Sequence, residues 1–156
     1  MTTHTENILI SVDHEHVINM LNGTKTAEVR RRPLRIHPGT RVWIYSKLPR
    51  GRIELVAIAD QVVAASPYSL WNRYRSVLAI SFQRFQKYCS GSQVACVILL
   101  REIEPLYPAL GLAAIRRISK EFQPPQFFKR LVERGPELRS LVASTSSVSN
   151  FRKQSS

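Results

Sequence analysis

The sequence predicts an α+β fold, a small, partly closed mixed β-barrel with helices packed at its ends. Three observations predict it. Strand-like and helix-like stretches follow one another as strand, helix, several strands, two helices, a strand and further helices. That order excludes a doubly wound α/β sheet, which needs regular alternation. The stretch IELVAIADQVVAA is long enough for a bent strand that crosses from one side of a barrel to the other. Serine caps open two helices between the last strands, and proline or glycine separates the helices near the end.

The elements are argued in chain order. NILISV (7–12) reads as a short buried strand, and Asp13 caps a helix HEHVINMLN whose Val17, Met20 and Leu21 recur at helical spacing. Gly23 is placed to end it. KTAEVR alternates, so Thr26, Glu28 and Arg30 share one face of a strand while Lys25, Ala27 and Val29 take the other. A turn at Pro38-Gly39 leads into a strand from Arg41 to Ser46, and a second turn around LPRGR leads into the long bent strand. Ser66 with Pro67 starts the next helix. Ser81 caps another, with Phe82 and Phe85 on its inner face and Gly91 beyond its end. QVACVILLREI, the most hydrophobic run, reads as a central strand. GLAAIRRI, PQFFKRLVERG and PELRSLVA read as three short helices. The Ser-rich end lacks periodicity, so one domain is expected over 1–143, followed by a flexible tail over 144–156.

Composition narrows the function classes. The 156 residues suffice for one ordinary domain with a sizeable core. No apolar run approaches the ~18 residues that span a membrane, and MTTHTENILI lacks a basic stretch leading into an apolar one, so no secretion signal is expected. Cys89 and Cys96 have neither zinc-site nor disulfide-framework spacing, so a reduced, cytoplasmic protein is expected. The net charge is +12, from 23 Lys+Arg against 11 Asp+Glu, which favours anionic partners. The segment 29–53 holds Arg30, Arg31, Arg32, Arg35, Arg41, Lys47, Arg50 and Arg52 with no acid before Glu54, which directs the expectation to nucleic acid. A membrane partner is set aside because these charges alternate with strand-like residues instead of lining a helix.

The stretch Gly23-Thr24-Lys25-Thr26-Ala27-Glu28-Val29-Arg30, after a strand and a short helix, resembles the G-x-K-x-x-E-x-R signature of the ASCH domain, a branch of the PUA-like superfamily. PGTRVWIYS resembles the strand that follows a P-G-x-x-V turn in that family, and SPYSLW, FQKYCSG and FQPPQFF resemble further stretches of it. The resemblance covers about residues 7–132 and is greatest to prokaryotic ASCH-type proteins described as predicted transcriptional regulators with a PUA-like domain. It implies a β-barrel with a cleft beside the signature strand, where RNA, another single-stranded nucleic acid or a modified nucleotide binds. The implied contacts are Lys25, Glu28 and Arg30, with Tyr45 and Ser46 on the neighbouring strand. Chemistry allots the roles: arginine offers a planar fork to phosphate, lysine a point charge, and a carboxylate accepts from a base's amino group. Arg31, Arg32, Arg35 and Lys47 extend the basic surface. Trp43 and Tyr45 offer stacking faces to a base. In a regular strand Tyr45 and Ser46 point opposite ways, so one of them is expected at a strand end or bulge. Glu28 is either a ligand-side acceptor held by Arg30 or Lys25, or the partner of a neighbouring arginine.

Two functions compete. One is an RNA-binding module with a regulatory role. The other is a small enzyme, because some ASCH relatives resemble amidohydrolases acting on acetylated cytidine and others are linked to RNA cleavage. The amidohydrolase pattern pairs the lysine with a threonine three residues on and a helix-borne glutamate. Here Glu28 stands third after Lys25, and no glutamate lies between Glu54 and Glu102. The expectation therefore favours binding over catalysis; an enzyme would use Lys25 and Glu28. No cofactor or metal is expected: His14 and His16 lie two apart on a helix, His4 and His37 lack ligand spacing, and all four read as surface histidines. Phe82, Phe85 and Tyr88 read as a core stripe and EFQPPQFF as a rigid turn over the barrel mouth. The helices from about 111 to 142 do not form a helix-turn-helix.

Overall fold

The computed structural model describes residues 5–143. Six strands form one curled sheet in the order β2-β5-β4-β3-β1-β6. They are β1 (Asn7–Val12), β2 (Ala27–Arg30), β3 (Arg41–Ser46), β4 (Arg52–Ala65), β5 (Ala95–Gly111) and β6 (Lys129–Arg130). Helices α1 (His14–Leu21), α2 (Pro67–Leu78), α3 (Phe82–Tyr88) and α4 (Leu112–Ile118) pack around it, with a further helix, α5, over 136–143. The expected α+β half-barrel is the fold observed. Among the described residues, no helix is long and apolar enough to cross a membrane.

Alternation along the strands makes two cores from one sheet. Ile8, Ile10 and Val12 of β1 join Val42 and Ile44 of β3 on the concave side, under Val17 and Met20 of α1. Leu9, Trp43 and Tyr45 point the other way, where Ile115 of α4 and Leu138 and Leu141 of α5 cover them. Strands buried on both faces explain the continuous apolar runs NILISV and VWIY. A third cluster seats Leu70, Leu78 and Phe85 of α2 and α3 on Ala27, Val29 and Val97 of β2 and β5. Removing a core side chain such as Ile44 leaves a void that close packing cannot fill, at a cost of about 2–5 kcal/mol.

Local chemistry fixes the connections. Gly23 and Gly39 adopt φ of +85° and +92°, a region open to glycine, at the two turns where the sequence places them. Ser66 and Ser81 accept from the backbone N–H of Ser69 and Arg84, satisfying N-terminal donors of α2 and α3. The long strand β4 bends as expected, and its pairing with β5 shifts register at three places.

Four expectations differ from the structure. Asp13 occupies the N-cap position of α1 but makes no side-chain cap bond; its carboxylate lies 3.5 Å from Lys47 Nζ instead. Phe82 is half exposed while Phe85 is buried, so the stripe on α3 is half core. The hydrophobic run expected as a central strand continues to Gly111 and lies second from one edge. The segment PQFFKRLVERG is not helical. Pro124-Pro125 bias it to extended backbone, and Ile8 and Leu9 on the free edge of β1 pair with Arg130 and Lys129. The predicted tail 144–156 lies outside the described residues.

Candidate functional site

The sheet curls until β2, at one end, approaches β1 near the other, but no ladder joins them. A cleft of about 490 Å³ fills this gap, bounded by β2, the end of β1, the start of α1, α3 and Gln126. Five cations, Arg30, Arg31, Lys47, Arg84 and Lys87, line it against two carboxylates, Asp13 and Glu28.

Lys25 anchors the base of this site. The turn after α1 is held by the Lys25 N–H donating to Asn19 O at 2.9 Å and by Thr26 N–H donating to Val77 O at 3.1 Å. This drives the Lys25 side chain to full burial, where Nζ donates to the Leu78 carbonyl at 2.6 Å and sits 3.5 Å from Glu28 Oε1. Leu78 ends α2, so its carbonyl is one of those a helix leaves without an internal partner, and a cation there also suits the helix dipole. Lys25 therefore ties α2 to β2 and does not line the cleft. Glu28, held from behind by this ammonium, does line it.

Arg30 spans the gap. Its Nη1 donates to Ser11 O of β1 at 3.2 Å and its Nη2 to Phe127 O at 2.8 Å, and the guanidinium lies 5.9 Å from the Phe127 ring centre. Its Nε is buried without a hydrogen-bond partner. The Ser11 hydroxyl donates to Pro125 O at 2.7 Å, so the proline-rich segment is fastened across the mouth from two directions.

His16 and Tyr88 face the cleft from the helices. The Nδ1 of His16 is buried without a hydrogen-bond partner. Burial holds its pKa below the ordinary 6.5, against the opposing pull of Glu28. The Tyr88 hydroxyl accepts from Arg31 N–H at 3.4 Å, and burial raises its pKa. At the rim, Arg84 pairs with Glu15, which lowers the Glu15 pKa.

The basic segment does not form one stripe. Arg31 and Lys47 reach the rim of the cleft, whereas Arg32 and Arg35 are exposed outside it. Arg41 is exposed at the start of β3. Arg50 donates from Nε to His14 Nε2 at 3.1 Å, and Arg52 Nε lies 2.6 Å from Glu54 Oε1. Tyr45 and Ser46 part as expected, with a register shift between Ile44 and Tyr45. Trp43 is fully buried, donating from Nε1 to Asn7 Oδ1 at 2.9 Å, and Tyr45 is buried beside it. Neither ring presents an open stacking face. Buried Ser46 lies on the α1 side, its Oγ 3.1 Å from His14 Nδ1.

His14 and His16 correct the reading of surface histidines. His14 Nδ1 also lies 3.1 Å from Glu54 Oε2, and its Nε2 lies 3.1 Å from Arg50 Nε. The two rings do face different ways, one to β3 and β4 and the other into the cleft. The sequence reading also missed Arg84 and Lys87 and took Tyr88, which lines the cleft, as core, although their i, i+3, i+4 spacing puts all three on one face of α3.

No family model matches the chain. It is 33% identical over 140 residues to an "ASCH domain-containing ribonuclease" of Zymomonas mobilis subsp. mobilis, covering 90% of this chain and 93% of the relative. The crystal structure of ASCH from Zymomonas mobilis is similar with a TM-score of 0.81 at 30% identity, over 88% of this chain and 94% of that one. A variant of that protein in which a tyrosine is replaced by phenylalanine gives the same TM-score of 0.81 at 29% identity, over 88% and 96%.

Proposed function

The chain belongs to the ASCH-domain family, and from that premise we propose that it binds single-stranded RNA, seating one nucleotide in the cleft between β2 and β1. The observation that carries this reading is the buried carboxylate of Glu28 lining one cleft with Arg31, Lys47, Arg84 and Lys87, of which Lys47 stands 3.5 Å from Asp13 and Arg84 pairs with Glu15. A carboxylate opposes a polyanion, so its place among these cations fits the reading of a donor group such as a base's amino group. The rim cations take the flanking phosphates, and exposed Arg32 and Arg35 extend the path beyond it. Lys25 holds Glu28 in position, Arg30 fixes the width of the opening, and Ser46 braces α1 through His14. Tyr45 contributes packing. The cleft volume lies in the range of small-ligand sites, so a free modified nucleotide is a competing ligand.

The test is binding of single-stranded RNA at two salt concentrations. Each ion pair with the strand contributes about −0.7 to the log–log salt slope. Replacing Arg31, Arg84 and Lys87 by glutamate weakens binding and flattens the slope. Unchanged affinity at low salt in the folded triple variant refutes the reading. Glu28→Gln loses discrimination among bases by at most about 1–3 kcal/mol. Uniform tightening toward every oligonucleotide instead assigns Glu28 a repulsive role.

A second reading, that the bound RNA is also cut, draws on His16 and on the relative's name of ribonuclease. Burial disfavours the charged form of His16, whose ring lines the cleft, and a neutral imidazole there is a base able to take a proton from a ribose hydroxyl. His16→Gln then stops fragment release while binding persists; release unchanged in that variant removes His16 from the chemistry. The amidohydrolase alternative suffers because Lys25 is engaged with Leu78, and acetate release from N4-acetylcytidine at the rate of a protein-free control is the expected result. A regulatory role in the cytoplasm is the proposal that accompanies binding without cleavage.

A further inference from the structure

A second cavity, of about 630 Å³, lies on the outer side of α3, between α3 and α2. Its walls are aromatic. Tyr68 is 79% exposed and Phe82 51% exposed, and the Trp71 ring stands 5.3 Å from Phe82 and 5.1 Å from buried Phe85. The amides of Asn72 and Gln86 also line it. We infer that this groove stacks a base of the same RNA strand that places another of its nucleotides in the cleft. The inference rests on the RNA-binding reading above and names a second subsite for it.

Charge selects the occupant. From Gln61 to Leu100 the chain contains no Asp or Glu but carries Arg73, Arg75, Arg84 and Lys87. An apolar groove without acids in the elements that form it suits an anionic partner with flat apolar faces. A nucleic acid strand has both features, because every base presents a π-face and every linkage a charge. The placement is continuous as well. α3 forms one wall of each cavity, offering Arg84, Lys87 and Tyr88 to the cleft and Phe82, Phe85 and Gln86 to the groove. A strand leaving the cleft needs to cross a single helix, about 10–12 Å wide with its side chains. Lys87 and Arg84, the latter paired with Glu15, stand on the cleft side of that crossing and match its phosphates. Asn72 and Gln86 each offer a donor pair and an acceptor to base edges. Single-stranded RNA is read in this way, by stacking on aromatic rings and by amides at exposed base edges.

The test compares uridine monophosphate, which fits the cleft alone, with an oligouridylate of about ten nucleotides, within the span that single-strand grooves take up. Tyr68→Ala and Phe82→Ala remove exposed rings, so the fold tolerates them. Each weakens oligouridylate binding about 5- to 150-fold, the range for losing one stacked base. Both leave monophosphate binding unchanged, and Phe82→Trp restores the oligonucleotide affinity. Trp71 emission is quenched by the oligonucleotide and not by the monophosphate. Wild-type affinity for the oligonucleotide in both alanine variants, with binding still lost in the rim triple variant, overturns the groove and leaves the cleft reading standing. An apolar dye seated in the groove that the oligonucleotide fails to displace overturns it equally. Failure of the wild-type chain to bind either RNA probe overturns the cleft reading, and this inference falls with it.

Discussion

Replacing Lys25 by methionine separates the structural from the ligand-binding reading of the signature lysine. Methionine keeps most of the stem volume, so little cavity forms. The loss falls on two groups. The Leu78 carbonyl loses a donor now at 2.6 Å, and Glu28, 5% exposed, loses the ammonium 3.5 Å away. A buried acceptor left unsatisfied costs about 1–3 kcal/mol, and removing one partner of a buried ion pair costs about 3–5 kcal/mol. The two overlap, because one nitrogen serves both, so Lys25→Met is expected to destabilise by about 3–5 kcal/mol in total. Glu28→Gln keeps its volume and an acceptor oxygen, and Lys25 keeps its carbonyl partner, so that loss is expected near 1 kcal/mol. The double variant costs less than the sum, with a coupling of about 0.5–3 kcal/mol. Urea unfolding followed through the emission of Trp43 and Trp71 measures all four proteins, provided the slope with denaturant stays constant. If Lys25→Met lies within about 0.5 kcal/mol of the parent, or if the effects add without coupling, the ammonium is not the strut described above.

Stability responds to acid through His16, whose folded pKa lies below 6.5 because burial penalises the charged ring. The unfolded chain then binds more protons in that window, so stability is highest above about pH 6.5 and falls as the pH drops toward the folded value; His16→Gln flattens the dependence in urea titrations at pH 5 to 8. The serine caps give a matched comparison. Ser66→Ala and Ser81→Ala each lower stability by about 0.5–2 kcal/mol, whereas Asp13→Ala, which breaks no cap bond, costs markedly less in the same assay. His14→Phe removes the partner shared by Ser46, Glu54 and Arg50, and leaves buried Glu54 with Arg52 alone; a loss of about 1–3 kcal/mol is expected on thermal unfolding.

What was legible in the sequence was what neighbours in the chain decide. Ser66-Pro67, Ser81, Gly23 and Gly39 carry local backbone requirements, and the structure meets each of them. The alternation in KTAEVR correctly separates Glu28 and Arg30 from Ala27 and Val29. Where a distant partner decides, the pattern misleads. Phe127, Phe128, Leu131 and Val132 recur at helical spacing, yet the free edge of β1 takes Lys129 and Arg130 as a strand. The same limit governs the site. His16 enters the cleft because α1 packs on β3 and β5, and Arg84 and Lys87 join it because α3 seats Phe85 on β2. Arg50 and Arg52, near in sequence to the signature, fold away to His14 and Glu54. Trp43 and Tyr45 offered aromatic faces on paper, but a strand buried on both sides leaves them none.

The gap between the two ends of the sheet is closed by one guanidinium. Strands in a ladder sit ~4.8 Å apart and share load over many bonds, whereas here a planar fork at the end of β2 grips two carbonyls across the opening, Ser11 of β1 and Phe127 ahead of β6. Such a closure behaves as a clasp. Its span is set by the length of one side chain, and it can unfasten without melting a strand. Lysine in its place has donors without the fixed planar fork and lets the two rims slide. The bore of the cleft is thus written into residue 30, and the barrel can widen along one seam while its remaining wall stays rigid.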